Sequence, residues 1–138
     1  MPGLSFIDTN IWIYAHLRKA SDPRHTHALA LLENETGAVI SPQVTAEYYS
    51  VMLKSGQSDQ WIQKNLATML SYYRLQPMDR SVLEKAWEIR NRYGFSIWDS
   101  QILAAALRAG CDTLYTEDLQ HGQQIETLQV QNPLQVEN

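Results

Sequence analysis

Leu4-Ser5-Phe6-Ile7-Asp8-Thr9-Asn10 is a brief apolar run that ends on an acid. It reads as a β-strand closing at Asp8, with a helix from Asn10 to Leu17 behind it. The pattern recurs late in the chain, where Thr113-Leu114-Tyr115 runs into Thr116-Glu117-Asp118. Between the two lies another strand, Ala38-Val39-Ile40, and the intervening segments carry helix signals. Asp22-Pro23 and Ser41-Pro42 each place a cap residue before a proline at the first helical position, which predicts helices over 24–32 and from 42 to Lys54. Ser58 caps a helix to about Tyr73, and Asp79 begins another that Gly94 stops after Tyr93. Ser96 to Asp99 has capping-box spacing ahead of an apolar helix that Gly110 ends. Leu75 to Met78 is a further strand candidate, and Leu128 with Val130 alternates as an edge strand before Asn132-Pro133.

Short strands alternating with helices predict an α/β fold, a single domain over 1–138 with a mostly parallel, short-stranded sheet and helices on both faces. In such sheets the binding crevice lies at the carboxyl ends of the strands. The polar residues just after each strand are therefore the candidates for chemistry.

Composition narrows the function classes. With 138 residues, 44% hydrophobic and 19% charged, the chain can fill one core and is not of the disordered class. Its longest apolar run, Ile102 to Leu107, falls far short of the ~20 residues of a membrane span. Asp8 also interrupts any signal-peptide-like stretch, so the expectation is a soluble, cytoplasmic protein without a membrane partner. The single cysteine, Cys111, cannot form an internal disulfide and reads as a small buried residue. Fifteen acids against 11 Lys and Arg give a net charge of -4, the wrong sign for holding nucleic acid by bulk charge.

Four carboxylates from four segments could converge above the sheet: Asp8, Glu47 in the helix after the second strand, Asp99 at a helix start, and Asp118. Like charges so gathered raise one another's pKa, and a bound divalent cation relieves them. An all-oxygen ligand set selects Mg2+, or Mn2+, over zinc. Each acid also has a structural reading. Asp99 suits a capping box, Asp118 a helix cap, Asp8 a turn, and Glu47 an exposed helix face. Trp98, about 100° around the helix from Asp99, is expected to pack against its neighbours and fix the helix start.

The ordered set resembles the PIN-domain nucleases, and most closely the VapC-type toxin ribonucleases of toxin–antitoxin pairs. The resemblance spans nearly the whole chain. It rests on Asp8-Thr9-Asn10 after the first strand, Glu47 after Ser41-Pro42-Gln43-Val44-Thr45-Ala46, Asp99 in Ser96-Ile97-Trp98-Asp99-Ser100, and Thr116-Glu117-Asp118 after the fourth strand. It implies a magnesium-dependent ribonuclease in which Asp8, Glu47, Asp99 and Asp118 are catalytic and hold one or two ions. Thr9, Asn10 and Thr116 would orient carboxylates, water or phosphate beside them. Gln120, His121 and Gly122 stand where many relatives carry a further acid, and either Glu117 or Asp118 could face the site, the Thr-x-Asp pattern favouring Asp118. The resemblance further implies a homodimer and an antitoxin partner lying across the acidic pocket.

Arg18, Lys19 and Arg24 around the first helices, and Arg90 with Arg92 before the Asp99 motif, are candidate contacts to an RNA backbone, set against an ordinary solvated face. His25 and His27, two apart, cannot share a helix face and make a poor zinc pair. Two other readings compete. A haloacid-dehalogenase-type phosphohydrolase needs a second aspartate where Asn10 stands, and a non-catalytic binding module could retain the fold without the chemistry. Magnesium-dependent RNA cleavage lost in Asp8→Asn separates the nuclease from both.

Overall fold

The computed structural model describes residues 3–17 and 22–135. Its elements run β1 (Leu4–Ile7), α1 (Thr9–His16), α2 (Pro23–Asn34), β2 (Ala38–Ile40), α3 (Pro42–Lys54), α4 (Asp59–Tyr72), β3 (Arg74–Leu75), α5 (Arg80–Tyr93), α6 (Ile97–Arg108), β4 (Cys111–Tyr115), β5 (Gln124–Ile125) and β6 (Leu128–Gln131). The strands form one sheet in the order β3-β2-β1-β4-β6-β5. All neighbours are parallel except β5 against β6.

The chain builds outward from β1 through β2 to β3, then crosses back to lay β4 on the other side of β1. Right-handed crossovers therefore put α1 to α4 on one face and α5 with α6 on the other. The packing agrees: α1 contacts α2 and α3, α3 contacts α4, and α5 lies along α6. Phe6, Ile7, Val39, Ile40 and Leu114 are fully buried, as central parallel strands covered on both faces require.

Most helix starts follow their caps. Asp22, Ser58, Asp79 and Ser96 each accept a backbone N–H from the first turn of their helix, and Gly94 closes α5 in the left-handed region at φ 79°. Ser41 departs from this. It stands at the cap position of α3, but its hydroxyl makes no capping bond and is buried without a partner. Proline at the first helical position fixes the entry to α3 in its place.

Three further expectations need correction. The third strand is Arg74–Leu75, so the segment to Met78 is irregular beyond Leu75. Leu128 and Val130 do not form an edge strand, because β6 pairs with β4 on one side and β5 on the other. The two-residue β5 takes the edge, supplied by a stretch too polar to signal a strand. Trp98 is not packed away but 64% exposed. Ser100, fully buried, marks the inner side of α6, and Trp98 stands two residues, about 200°, around the helix from it.

Candidate active site

The strand order reverses between β1 and β4, and a parallel sheet opens a crevice at such a switch point beyond the carboxyl ends of its strands. Asp8 leaves β1 and Asp118 follows β4 at that point. The two strand ends are tied together, since Asp8 N–H donates to the Tyr115 carbonyl at 3.0 Å. Asp8 is also the N-cap of α1, its Oδ1 accepting Thr9 N–H at 2.7 Å. Its Oδ2 accepts the Thr116 hydroxyl at 2.8 Å, and the same Thr116 oxygen accepts Asp118 N–H at 3.1 Å. Thr116 is fully buried, so this connection between the two acids is shielded from water.

Glu47 reaches the crevice from α3 and Asp99 from the first turn of α6. The Thr9 hydroxyl lies 3.5 Å from Glu47 Oε1, at the long limit of a hydrogen bond, and Gln43, one helical turn before Glu47, bonds its carboxylate. Asp99 N–H is held by Ser96 Oγ at 3.1 Å, which accounts for its capping-box spacing. The Asn10 amide donates to Asp118.

Burial pushes the Asp8 carboxyl up from 3.8 to about 7, against the lowering by its bonds to Thr116 and Thr9, with Asp118 and Glu47 adding repulsion. Glu47 is raised by desolvation first, with Asp118 and Asp99 contributing. Asp118 is raised by desolvation and then by Asp99 and Glu117. Glu47 and Asp118 are exposed as whole residues, so shielding of their carboxyl ends is partial. Asp8 thus feels Asp118 and Glu47, and Asp99 acts on Glu47 and Asp118.

Among the described residues no three His, Cys, Asp or Glu side chains are gathered into a ready-made metal site. The donor chemistry nevertheless fits a hard divalent cation. Every candidate ligand is a carboxylate oxygen, and Asn10 Oδ1 is a buried acceptor with no partner beside Asp118.

The sequence profile of the PIN domain matches residues 5–123, which takes in all four acids. The chain belongs to the PIN-domain family. Solved structures share its fold. VapC20 from Mycobacterium tuberculosis, described as a sarcin-ricin loop cleaving toxin, superposes with a TM-score of 0.68 at 20% identity, over 83% of this chain and 91% of its own. A toxin–antitoxin complex from Klebsiella pneumoniae gives 0.68 at 21%, covering 94% and 97%. VapBC2 from Rickettsia felis, bound to a DNA fragment from its promoter, gives 0.66 at 24%, covering 94% and 98%. No curated protein sequence matches the chain.

Within this PIN domain Glu117 and Asp118 separate. Glu117 accepts the Tyr14 hydroxyl at 2.9 Å, while Asp118 interacts with Asn10 and Asp99. Tyr14 in turn accepts from Arg24 Nη1 at 2.8 Å, and the Arg24 guanidinium, ion-paired with Asp22 at 2.9 Å, lies 4.4 Å above the Tyr14 ring. Arg24 is therefore engaged within the protein. Arg90 donates to the Phe95 carbonyl at 2.7 Å and Arg92 lies 5.2 Å over the Tyr93 ring. Both remain exposed. Arg18 and Lys19 lie outside the described residues.

Sequence reasoning missed Tyr14 and Gln43. A signal existed for Gln43, four residues before Glu47 on the same helix face, whereas Tyr14 acts on Glu117, 103 residues away in the chain. Cys111 is buried as expected, its thiol pushed up to about 12 chiefly by desolvation, which leaves it unreactive.

Proposed function

We propose that this PIN-domain protein is a magnesium-dependent ribonuclease, hydrolysing RNA phosphodiester bonds, and the toxin of a toxin–antitoxin pair. The observation that carries the nuclease reading is the meeting of Asp8 and Asp118, joined through Thr116, with Glu47 and Asp99 at the switch point of the sheet. The toxin role draws on the neighbours described as toxins and toxin–antitoxin complexes, and it brings with it an antitoxin partner, a homodimer and a cytoplasmic setting.

Asp8 and Asp118 are the central ligands in this reading, with Glu47 and Asp99 completing the site from the helices. When bound, magnesium supplies positive charge to the scissile phosphate and acidifies the attacking water. Thr116 and Thr9 hold both oxygens of Asp8, so that its carboxylate is oriented before substrate arrives. Asn10 steadies Asp118 by its amide and leaves Oδ1 free to accept from water at the site. His121 turns its Nδ1 to the Asn132 N–H at 3.0 Å and offers no further carboxylate, which favours one well-held ion over two.

The test is cleavage of a mixed RNA pool by purified protein in Mg2+, in Mn2+ and in EDTA, beside Asp8→Asn. Cleavage that needs the ion and disappears in the variant supports the reading. Cleavage of equal rate in EDTA, or in a correctly folded Asp8→Asn, overturns it.

A further inference from the structure

The groove between α3 and α6 shares one of the four carboxylates, Glu47, with the candidate site. It has a volume of about 870 Å³, and its lining includes Gln43, Glu47, Ser50, Lys54, Met78 and Trp98. Trp98 is 64% exposed, and among the described residues its indole makes neither a hydrogen bond nor a ring contact. Its backbone, in contrast, is fixed. The Trp98 carbonyl accepts Gln43 Nε2 at 3.1 Å, Gln43 Oε1 accepts Gln101 Nε2 at 3.4 Å, and the next residue, Asp99, is tied to Ser96.

We propose that this groove is a single-stranded RNA subsite in which the Trp98 indole is the stacking platform for a nucleobase next to the scissile phosphate. The proposal rests on the nuclease reading above and assigns where that substrate lies. Its occupant follows from continuity, because Glu47 lines the groove and belongs to the carboxylate site as well. Charge points the same way. A chain of net charge -4 cannot hold RNA by bulk attraction, so binding has to draw on stacking, which any base can provide. Gln101 and Ser50 offer amide and hydroxyl groups to base edges. Lys54 lies two helical turns, about 10 Å, beyond Glu47. Among the described residues it makes no ion pair, so it is available to a flanking phosphate.

The experiment compares wild type, Trp98→Ala, Trp98→Phe and, as a surface control, Trp87→Ala. Binding of a fluorescein-labelled mixed-sequence RNA 12-mer is read by anisotropy in EDTA, and cleavage of the same RNA is followed in Mg2+. Trp98→Ala should melt close to wild type and raise both Kd and KM roughly ten- to a hundredfold, with kcat within about threefold. Trp98→Phe should recover most of the loss, and Trp87→Ala should stay within about twofold. Replacing nucleotides flanking the cut one at a time by abasic residues should reveal one position that weakens wild type and leaves Trp98→Ala indifferent.

Unchanged Kd and KM in Trp98→Ala, with wild type cutting RNA, overturn the platform and leave the nuclease standing. If wild type cuts no RNA but binds it in a Trp98-dependent manner, the nuclease reading fails and the platform survives; binding that ignores Trp98 sinks both. Sedimentation of each variant covers the remaining case, in which Trp98→Ala dissociates a dimer and leaves RNA affinity per chain unaltered. That result would place the indole between copies of the chain and refute the subsite.

Discussion

The hydroxyl of Thr116 donates to Asp8 Oδ2 at 2.8 Å and accepts the backbone N–H of Asp118 at 3.1 Å, so one buried oxygen positions the acids at the ends of two adjacent strands. This placement depends on the sheet. Asp8 and Thr116 are brought together only because β4 lies beside β1, and the parallel register sets Ile7 opposite Tyr115. The candidate site thus inherits its spacing from backbone pairing.

Thr116→Val keeps the side-chain shape and removes the hydroxyl, leaving Asp8 Oδ2 and Asp118 N–H without their partner. Buried groups orphaned in this way cost about 1–3 kcal/mol. Urea unfolding at pH 8 should show that loss, and Mg2+-dependent cleavage should fall roughly tenfold or more as Asp8 loses its orientation. Thr116→Ser should retain most of both. A valine variant with the wild-type unfolding midpoint and rate would show that the hydroxyl is dispensable.

Asp8 gives the metal-free protein a pH dependence of defined sign. Its carboxyl is raised to about 7 in the fold from 3.8, so between those values the folded state binds the extra proton. The resulting stability is present in full below pH 4 and lost as pH rises through 7, on the order of 4 kcal/mol at most. In EDTA, Asp8→Asn should therefore melt above wild type at pH 8, and the gap should close towards pH 4. A difference in melting temperature independent of pH would mean that Asp8 is ionised throughout.

Magnesium or manganese should reverse part of that loss by binding the folded state. The rise in melting temperature should be larger at pH 8 than at pH 5.5, because the ligands must shed their protons to bind. It should shrink in Asp8→Asn and in Asp118→Asn. Equal increments in all three proteins would put the ion elsewhere.

What could be read from the sequence was whatever a short stretch encodes by itself. Asp22, Ser58, Asp79 and Ser96 act on N–H groups within their own first turn, and those caps are where local chemistry indicates. Asp8 and Asp118 were legible because each follows an apolar run at once. What escaped was decided by distant neighbours. The edge strand β5 exists because β6 offers it a partner, and Glu117 is drawn away from the crevice by Tyr14, 103 residues earlier in the chain. Trp98 was misread because adjacency to Asp99 in sequence does not say which side of α6 meets the core. Ser100 decides that.

Ser41 offers the sharpest contrast between local signal and tertiary outcome. Its sequence context matches a helix cap, and loss of such a cap ordinarily costs about 1 kcal/mol. Here the hydroxyl is fully buried and unpartnered, and it caps no N–H of the first turn. Ser41→Ala deletes an unpaired polar atom without breaking a bond, so it should be neutral or should stabilise the protein by up to about 1 kcal/mol. Ser58→Ala is the matched control, because Ser58 Oγ accepts Trp61 N–H at 3.2 Å, and it should lose about 1 kcal/mol. Urea unfolding of the two variants side by side makes the comparison with the chemical change held constant. If Ser41→Ala is destabilised as much as Ser58→Ala, the Ser41 hydroxyl has a partner, and the start of α3 depends on a bond rather than on Pro42.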